Sequence, residues 1–110
     1  MKVNAQNKDG ITPLMYAAAN NQNPEVITTL LKAGANLEDQ CESGITPLMY
    51  ATGEDPNPLV ISTLLKAGAD AKVKDRDRNT AFDYAKLNDA LEGTDALKQL
   101  EETSKRFPWD

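Results

Sequence analysis

Apolar residues recur along this chain in short helical clusters set apart by polar punctuation. Val26, Ile27, Leu30 and Leu31 share one face of a 3.6-residue period, and Val60, Ile61, Leu64 and Leu65 repeat the pattern. Each cluster follows an Asn-Pro pair, Asn23-Pro24 and Asn57-Pro58. Asparagine there caps unpaired amides, and proline at the first helical position needs no amide hydrogen. Gly34 and Gly68 fall where each helix needs a left-handed residue to stop. A second kind of helix is predicted after Thr12-Pro13 and Thr46-Pro47, with Leu14, Leu48 and Phe82 as apolar bulk. Ala17, Ala18, Ala51 and Ala85 line these helices and allow close approach of a neighbour.

The two kinds alternate because the chain repeats itself. Gly10-Ile11-Thr12-Pro13-Leu14-Met15-Tyr16-Ala17 returns as Gly44-Ile45-Thr46-Pro47-Leu48-Met49-Tyr50-Ala51, an offset of 34 residues. Leu30-Leu31-Lys32-Ala33-Gly34-Ala35 returns as Leu64-Leu65-Lys66-Ala67-Gly68-Ala69, and Thr80-Ala81-Phe82-Asp83-Tyr84-Ala85 is a worn third copy at the same spacing. Neither helix of a unit buries its face alone, but stacked units cover one another and form one continuous core.

The Thr-Pro-Leu opening, the Ala-Ala step, the Leu-Leu pair and the Ala-Gly-Ala close resemble, in order, the ankyrin repeats. Met15 and Met49 stand where that signature carries histidine, and there is one residue more than the usual period of about 33. The extra length is expected between the A and B helices, at Asn20 to Asn23 and Gly53 to Asn57. The resemblance covers about residues 3–101 and implies an all-α solenoid of helix-turn-helix units with projecting β-hairpin-like fingers. The units are about 3–34, 35–68 and 69–101 of a single domain, followed by a tail over 102–110. The fingers are about 35–45 and 69–79, with an incomplete one before Ile11.

Unit three reads as a C-terminal cap. Arg78 replaces the finger glycine, Ala81 replaces the proline, and the A helix is expected to run on through Lys86, Leu87 and Asn88. The B helix restarts at Thr94, with Ala96, Leu97 and Leu100 inward and Lys98, Gln99, Glu101 and Glu102 outward, the polar face a terminal repeat needs. The last residues, Lys105 to Asp110, read as a folded-back lid or as an unstructured tail. Nothing in the sequence covers the outward side of Leu14, Val26 and Leu30. Truncation from a longer array, self-association through that face, or a tolerably polar unit would each account for it. Thr28 and Thr29 favour truncation or tolerance, and hence a monomer.

A net charge of -5 and a pI near 4.7 argue against a nucleic-acid reader or an anionic-membrane binder. No apolar run approaches the roughly 20 residues of a membrane span, and no export signal precedes Asn7, so the cytoplasm is the default expectation. Chemistry lacks its parts. There is no histidine, and Cys41 is the one cysteine, so a Cys-His pair or a zinc site is not expected. Asp75-Arg76-Asp77-Arg78-Asn79 copies the first half of a calcium loop, but Thr80 and Lys86 stand where glycine and glutamate are required. Glu54-Asp55 and Glu101-Glu102 read as solvated surface, Cys41 as a packing residue, and no glycine loop cradles phosphate. No enzyme activity, cofactor or metal is expected.

What remains is binding of another protein. By matching positions, the resemblance implies a contact surface of finger tips, Lys8, Asp9 and Ile11, then Glu42, Ser43 and Ile45, then Arg76, Asp77 and Asn79. The exposed ends of the A helices, Asn20, Glu54 and Asn88, complete it. These positions vary between units while the scaffold repeats. Glu38, Asp39 and Glu42 make the second finger acidic, whereas Lys72, Lys74, Arg76 and Arg78 outweigh Asp75 and Asp77 in the third. The alternatives are a structural segment of a longer array, or a truncated or engineered repeat scaffold with no partner of its own.

Overall fold

The computed structural model describes residues 3–20, 23–53 and 56–104. Six α-helices follow one another as α1 (Pro13–Ala19), α2 (Pro24–Lys32), α3 (Pro47–Tyr50), α4 (Pro58–Lys66), α5 (Ala81–Lys86) and α6 (Asp95–Ser104), with a 3₁₀ turn at Asp89–Leu91 before the last. They form two layers. In the inner layer α1 packs on α3 and α3 on α5; in the outer layer α2 packs on α4 and α4 on α6. The pairs α1–α2, α3–α4 and α5–α6 tie the layers into three units. The stack measures 41 × 27 × 26 Å. No helix among the described residues is long and apolar enough to cross a membrane.

Local chemistry sets the helix ends. Thr12, Thr46 and Thr80 accept from the amides of Met15, Met49 and Asp83 at 3.3, 3.3 and 3.2 Å. In place of the signature histidine, the Met15 thioether accepts from the Thr12 amide at 3.4 Å and the Asp83 carboxylate accepts from the Thr80 amide at 2.9 Å. The capping box is therefore closed by different chemistry in units one and three. Asn23 and Asn57 cap α2 and α4 through the amides of Glu25 and Leu59, both at 2.9 Å. At the far end of α2 the Gly34 amide donates to the Leu31 carbonyl and the Ala35 amide to the Leu30 carbonyl, the paired closure that a left-handed residue makes; Gly68 and Ala69 repeat it.

The core follows the repeat. Leu14, Leu48, Ile27, Val60, Ile61 and Leu64 are fully enclosed, and Leu91, Ala96 and Leu100 continue the core into unit three. Leu14 was expected to be uncovered, yet α2 and α3 enclose it. Leu30 is half-buried, and Val26 is 38% exposed where its counterpart Val60, flanked by α2 and α6, is fully covered.

Two other expectations need correcting. The A helix of unit three does not run through Asn88; it stops at Lys86, because Asn88 leaves helical geometry and caps the 3₁₀ turn through the Ala90 amide at 3.0 Å. The fingers contain no strand among the described residues. Each is a tight turn, closed at its base by Asn7 N to Ile11 O, Cys41 N to Ile45 O and Asp75 N to Asn79 O at 3.0 to 3.1 Å. Adjacent tips share one backbone bond per junction, Glu42 N to Asp9 O at 3.0 Å and Arg76 N to Ser43 O at 3.1 Å, too few to build a strand ladder.

Close approach at those junctions decides which residue occupies the tip. Gly10 and Gly44 both sit at φ 81°, and a Cβ on Gly44 would lie 2.9 Å from the Arg76 amide nitrogen of the following finger. Arg78 takes the same left-handed conformation, φ 66°, on the last finger, where no further finger packs against it.

Candidate binding face

Between the fingers and the inner helices lies a cleft of about 470 Å³ lined by Ala19, Ile45, Met49, Tyr50, Thr52, Gly53 and Tyr84. A second cleft, about 460 Å³, shares Thr52, Gly53 and Tyr84 and extends to Leu87, Asn88 and Asp89. The lining of the first cleft is mostly apolar and that of the second is mixed, and Leu87, on the lip of the second, is 80% exposed.

Three tyrosines at the repeat offset brace the fingers, and two of them, Tyr50 and Tyr84, also wall this groove. The Asn7 amide donates to the Tyr16 hydroxyl at 3.1 Å, the Tyr50 hydroxyl donates to the Cys41 sulfur at 3.5 Å, and the Tyr84 hydroxyl donates to the Asp75 carboxylate. One finger-base position thus holds asparagine, cysteine and aspartate in turn. Asn7 and Asp75 also accept from two amides of their own turn, at 2.8 to 3.0 Å, which fixes the tip. Burial pushes Asp75 up, but the Tyr84 hydroxyl and the Asn79 and Asp77 amides outweigh it and hold the carboxyl below the usual range. The same opposition acts at Cys41, where bonds from Tyr50 and the Ile45 and Ser43 backbone overcome burial and lower the thiol. Tyr50 is pushed up to about 12, chiefly by burial and then by its bond to Cys41, so the phenol is neutral at physiological pH.

Sulfur is a weaker acceptor than a side-chain carbonyl. Cys41→Asn should therefore install the turn that Asn7 forms and raise stability by about 0.5–1 kcal/mol. An unchanged or lower urea midpoint would show that the cysteine already satisfies this turn.

Of the residues expected to contact a partner, Lys8, Asp9, Glu42, Ser43, Arg76 and Asp77 are exposed at the tips, and Asn20 is exposed at the end of α1. Ile11, Ile45 and Asn79 are half-buried at the finger bases, with Ile45 in the cleft wall. Glu54 lies outside the described residues, as does the Lys105–Asp110 tail. Asn88 is engaged internally: besides capping the 3₁₀ turn, it donates to the carbonyls of Thr52, at 3.3 Å, and Gly53, clasping unit two. Glu38 is also used inside the stack. Its carboxylate accepts from the Asp70 amide at 2.9 Å, as Asn4 accepts from Asn36 at 2.7 Å one repeat earlier.

Tyr50, Tyr84, Ala19 and Leu87 line the clefts without varying or charged character that would mark them in the sequence. The constant 34-residue spacing of the tyrosines is the signal the sequence carries, and it coincides with that of the scaffold.

The family model for ankyrin repeats (3 copies) matches residues 1–75, and the chain belongs to the ankyrin repeat family. Unit three, beyond residue 75, completes the same two-layer packing with α5 and α6. No curated protein matches the chain. Ankyrin repeats are in general protein-protein interaction modules, and the family is typically non-enzymatic.

Proposed function

We propose that this chain binds a partner protein across the finger tips and along the cleft between the fingers and α1, α3 and α5. The observation that carries the reading is the open apolar cleft walled by Ile45, at the base of the second finger, beside the tips that differ between units; a second, mixed cleft with Leu87 on its lip continues from it at Thr52, Gly53 and Tyr84. Lys8, Asp9, Glu42, Ser43, Arg76 and Asp77 supply the variable polar rim. Ile11, Ile45 and Asn79 hold the finger bases, Asn20 follows the end of α1, and Glu54 and Asn88 are its counterparts by repeat position. An apolar floor with a polar, partly charged rim is the usual anatomy of a protein interface. Opposed charges on neighbouring tips, Glu42 against Arg76 and Arg78, would orient an approaching partner and affect its on-rate more than its affinity.

Affinity capture with mass spectrometry tests the face. Ala19→Arg and Leu87→Asp change exposed side chains of the groove and should reduce capture of the bound protein at least about tenfold, the loss typical of a disrupted interface anchor. Leu59→Asp, at the other strongly exposed leucine, lines neither cleft and should leave capture intact. Equal capture by the groove variants and the wild type would overturn this face. Reversing Glu42, Arg76 and Arg78 together should slow association and flatten its salt dependence.

A further inference from the structure

From the geometry of the unit junctions, and independently of the proposed binding face, we infer that the N-terminal end of the stack is an interface for one further ankyrin-type unit. That unit runs directly into residue 1 and seats in the register that unit one holds on unit two.

Burial along the stack locates the interface. Unit three has a unit before it and none after it among the described residues, and it is covered. Tyr84 is half-buried, Ala81 is buried, and Ala96 and Leu100, four apart on α6 as Val60 and Leu64 are on α4, are enclosed. Unit one has a unit after it and none before it. There Tyr16 and Val26 are exposed and Pro13 and Leu30 half-buried, whereas Tyr50 is half-buried and Val60, Pro47 and Leu64 are buried at the same places in unit two. The missing cover is therefore the one a preceding unit supplies. Hydrogen bonds at the fingers point the same way. At each junction the later finger donates one backbone amide, Glu42 to the Asp9 carbonyl at 3.0 Å and Arg76 to the Ser43 carbonyl at 3.1 Å. Each later finger also accepts one side-chain amide, that of Gln6 on the Gln40 carbonyl at 3.4 Å and that of Gln40 on the Lys74 carbonyl at 3.3 Å. By the 34-residue offset the Lys8 amide and the Gln6 carbonyl hold these places in unit one, and neither has a partner among the described residues.

These groups define the occupant. It carries a tip carbonyl followed by glycine, a side-chain amide at the base of its finger, and an apolar B helix to lie over Val26 and Leu30. At both existing junctions the chain passes from the closing glycine straight into the next finger, at Gly34-Ala35 and Gly68-Ala69. A unit in the same register therefore ends where residue 1, the counterpart of residue 35, begins. A second copy of this chain does not fit. Its last finger carries Arg78, where a Cβ at the Gly44 place would lie 2.9 Å from the next finger's amide nitrogen, and Lys74 stands where the side-chain amide belongs. A two-fold pair would set two receiving ends together, since the delivering groups, the Asp9 carbonyl and the Gln6 side-chain amide, are already engaged by unit two. The stack is terminated at Arg78 and receptive at Lys8.

The probe is the full chain extended by a second copy of residues 1–34 placed in frame ahead of residue 1, which keeps the 34-residue period. Amide hydrogen exchange followed by NMR should slow at Lys8 of the original unit at least about tenfold relative to the 110-residue chain. Urea unfolding should stay a single transition, with a higher midpoint and a steeper slope. Gly10→Arg in the added copy should return Lys8 to fast exchange, because Arg78 shows that arginine suits the finger only where nothing packs on it. Circular dichroism should show that this variant keeps its helices. Extension with residues 35–68 instead gives a second version, so the outcome does not hang on one added sequence folding. Lys8 exchanging as fast in both extended chains as in the 110-residue chain, slow exchange that survives Gly10→Arg, or a separate transition for the added unit in both would each overturn the inference. Sedimentation equilibrium of the 110-residue chain should find a monomer. A dimer that Val26→Lys dissociates would give this end to a second copy, and overturn it as well.

Discussion

Gly44→Ala is expected to destabilise the chain by about 3–5 kcal/mol, with left-handed strain contributing about 1–2 and steric crowding most of the rest. The crowding is specific to the stacked position. A Cβ on Gly44 would meet the Arg76 nitrogen at 2.9 Å and the Asp75 Cα at 3.1 Å, all backbone atoms of a finger already tied to Ser43 by its single bond. Nothing there is the far end of a flexible side chain, so relief requires finger three to lift and release its contact with unit two. Gly34→Ala is the internal control, since φ 98° imposes the strain while no atom lies within 4 Å of the added carbon. It should cost only about 1–2 kcal/mol. Arg78→Gly should be close to neutral, because removing strain offsets the greater freedom that glycine gives the unfolded chain. Thermal unfolding should place Gly44→Ala about 10–25 °C below the wild type. Equal losses for Gly44→Ala and Gly34→Ala would sink the packing argument.

That comparison shows why parts of this fold are legible in the residues alone. The cap pairs Thr12-Pro13 and Asn57-Pro58, the glycines that close α2 and α4, and the stacking of helices are all local or periodic, so one repeat predicts the next. The replacement of glycine by Arg78 is legible as a cap for the same reason, although only the finger packing explains why arginine is tolerated there. What escaped lies in contacts between unlike residues. Asn7, Cys41 and Asp75 share one position, but no chemical likeness marks them as counterparts until the tyrosine nine residues ahead is seen to reach each one. Asn88 looks like a free helix end until its amide is found on carbonyls of the preceding unit, a long-range bond with no signature in local sequence. The cleft was hidden differently. Its wall is built from Tyr50, Tyr84, Ile45 and Met49, residues of the repeated scaffold, so a search confined to positions that vary finds the rim and misses the floor.

The equivalence of Asn7 and Asp75 leads to the second large effect. Asp75→Ala removes the acceptor for the Asp77 and Asn79 amides, both at 2.9 Å, and for the Tyr84 hydroxyl, and is expected to cost about 3–4 kcal/mol. Asp75→Asn should cost less than about 1 kcal/mol at neutral pH. Asparagine at the same place in unit one already accepts from two turn amides and pairs with the tyrosine nine residues on. The two variants separate further with pH. Asp75 titrates below its ordinary value in the folded chain because the hydrogen bonds outweigh burial. Its ionisation therefore stabilises the fold fully above the unfolded carboxylate pKa of about 3.9, and that contribution is lost as pH falls through the lower folded value. Asp75→Asn has no such proton to take up, so its urea midpoint should fall less than that of the wild type between about pH 6 and pH 3. Asp83 is also depressed, through the Thr80 amide and Lys86, and leaves an acid sensitivity common to both proteins. An Asp75→Asn variant as unstable as Asp75→Ala at neutral pH would mean that the negative charge, and not the acceptor geometry shared with Asn7, holds the third finger.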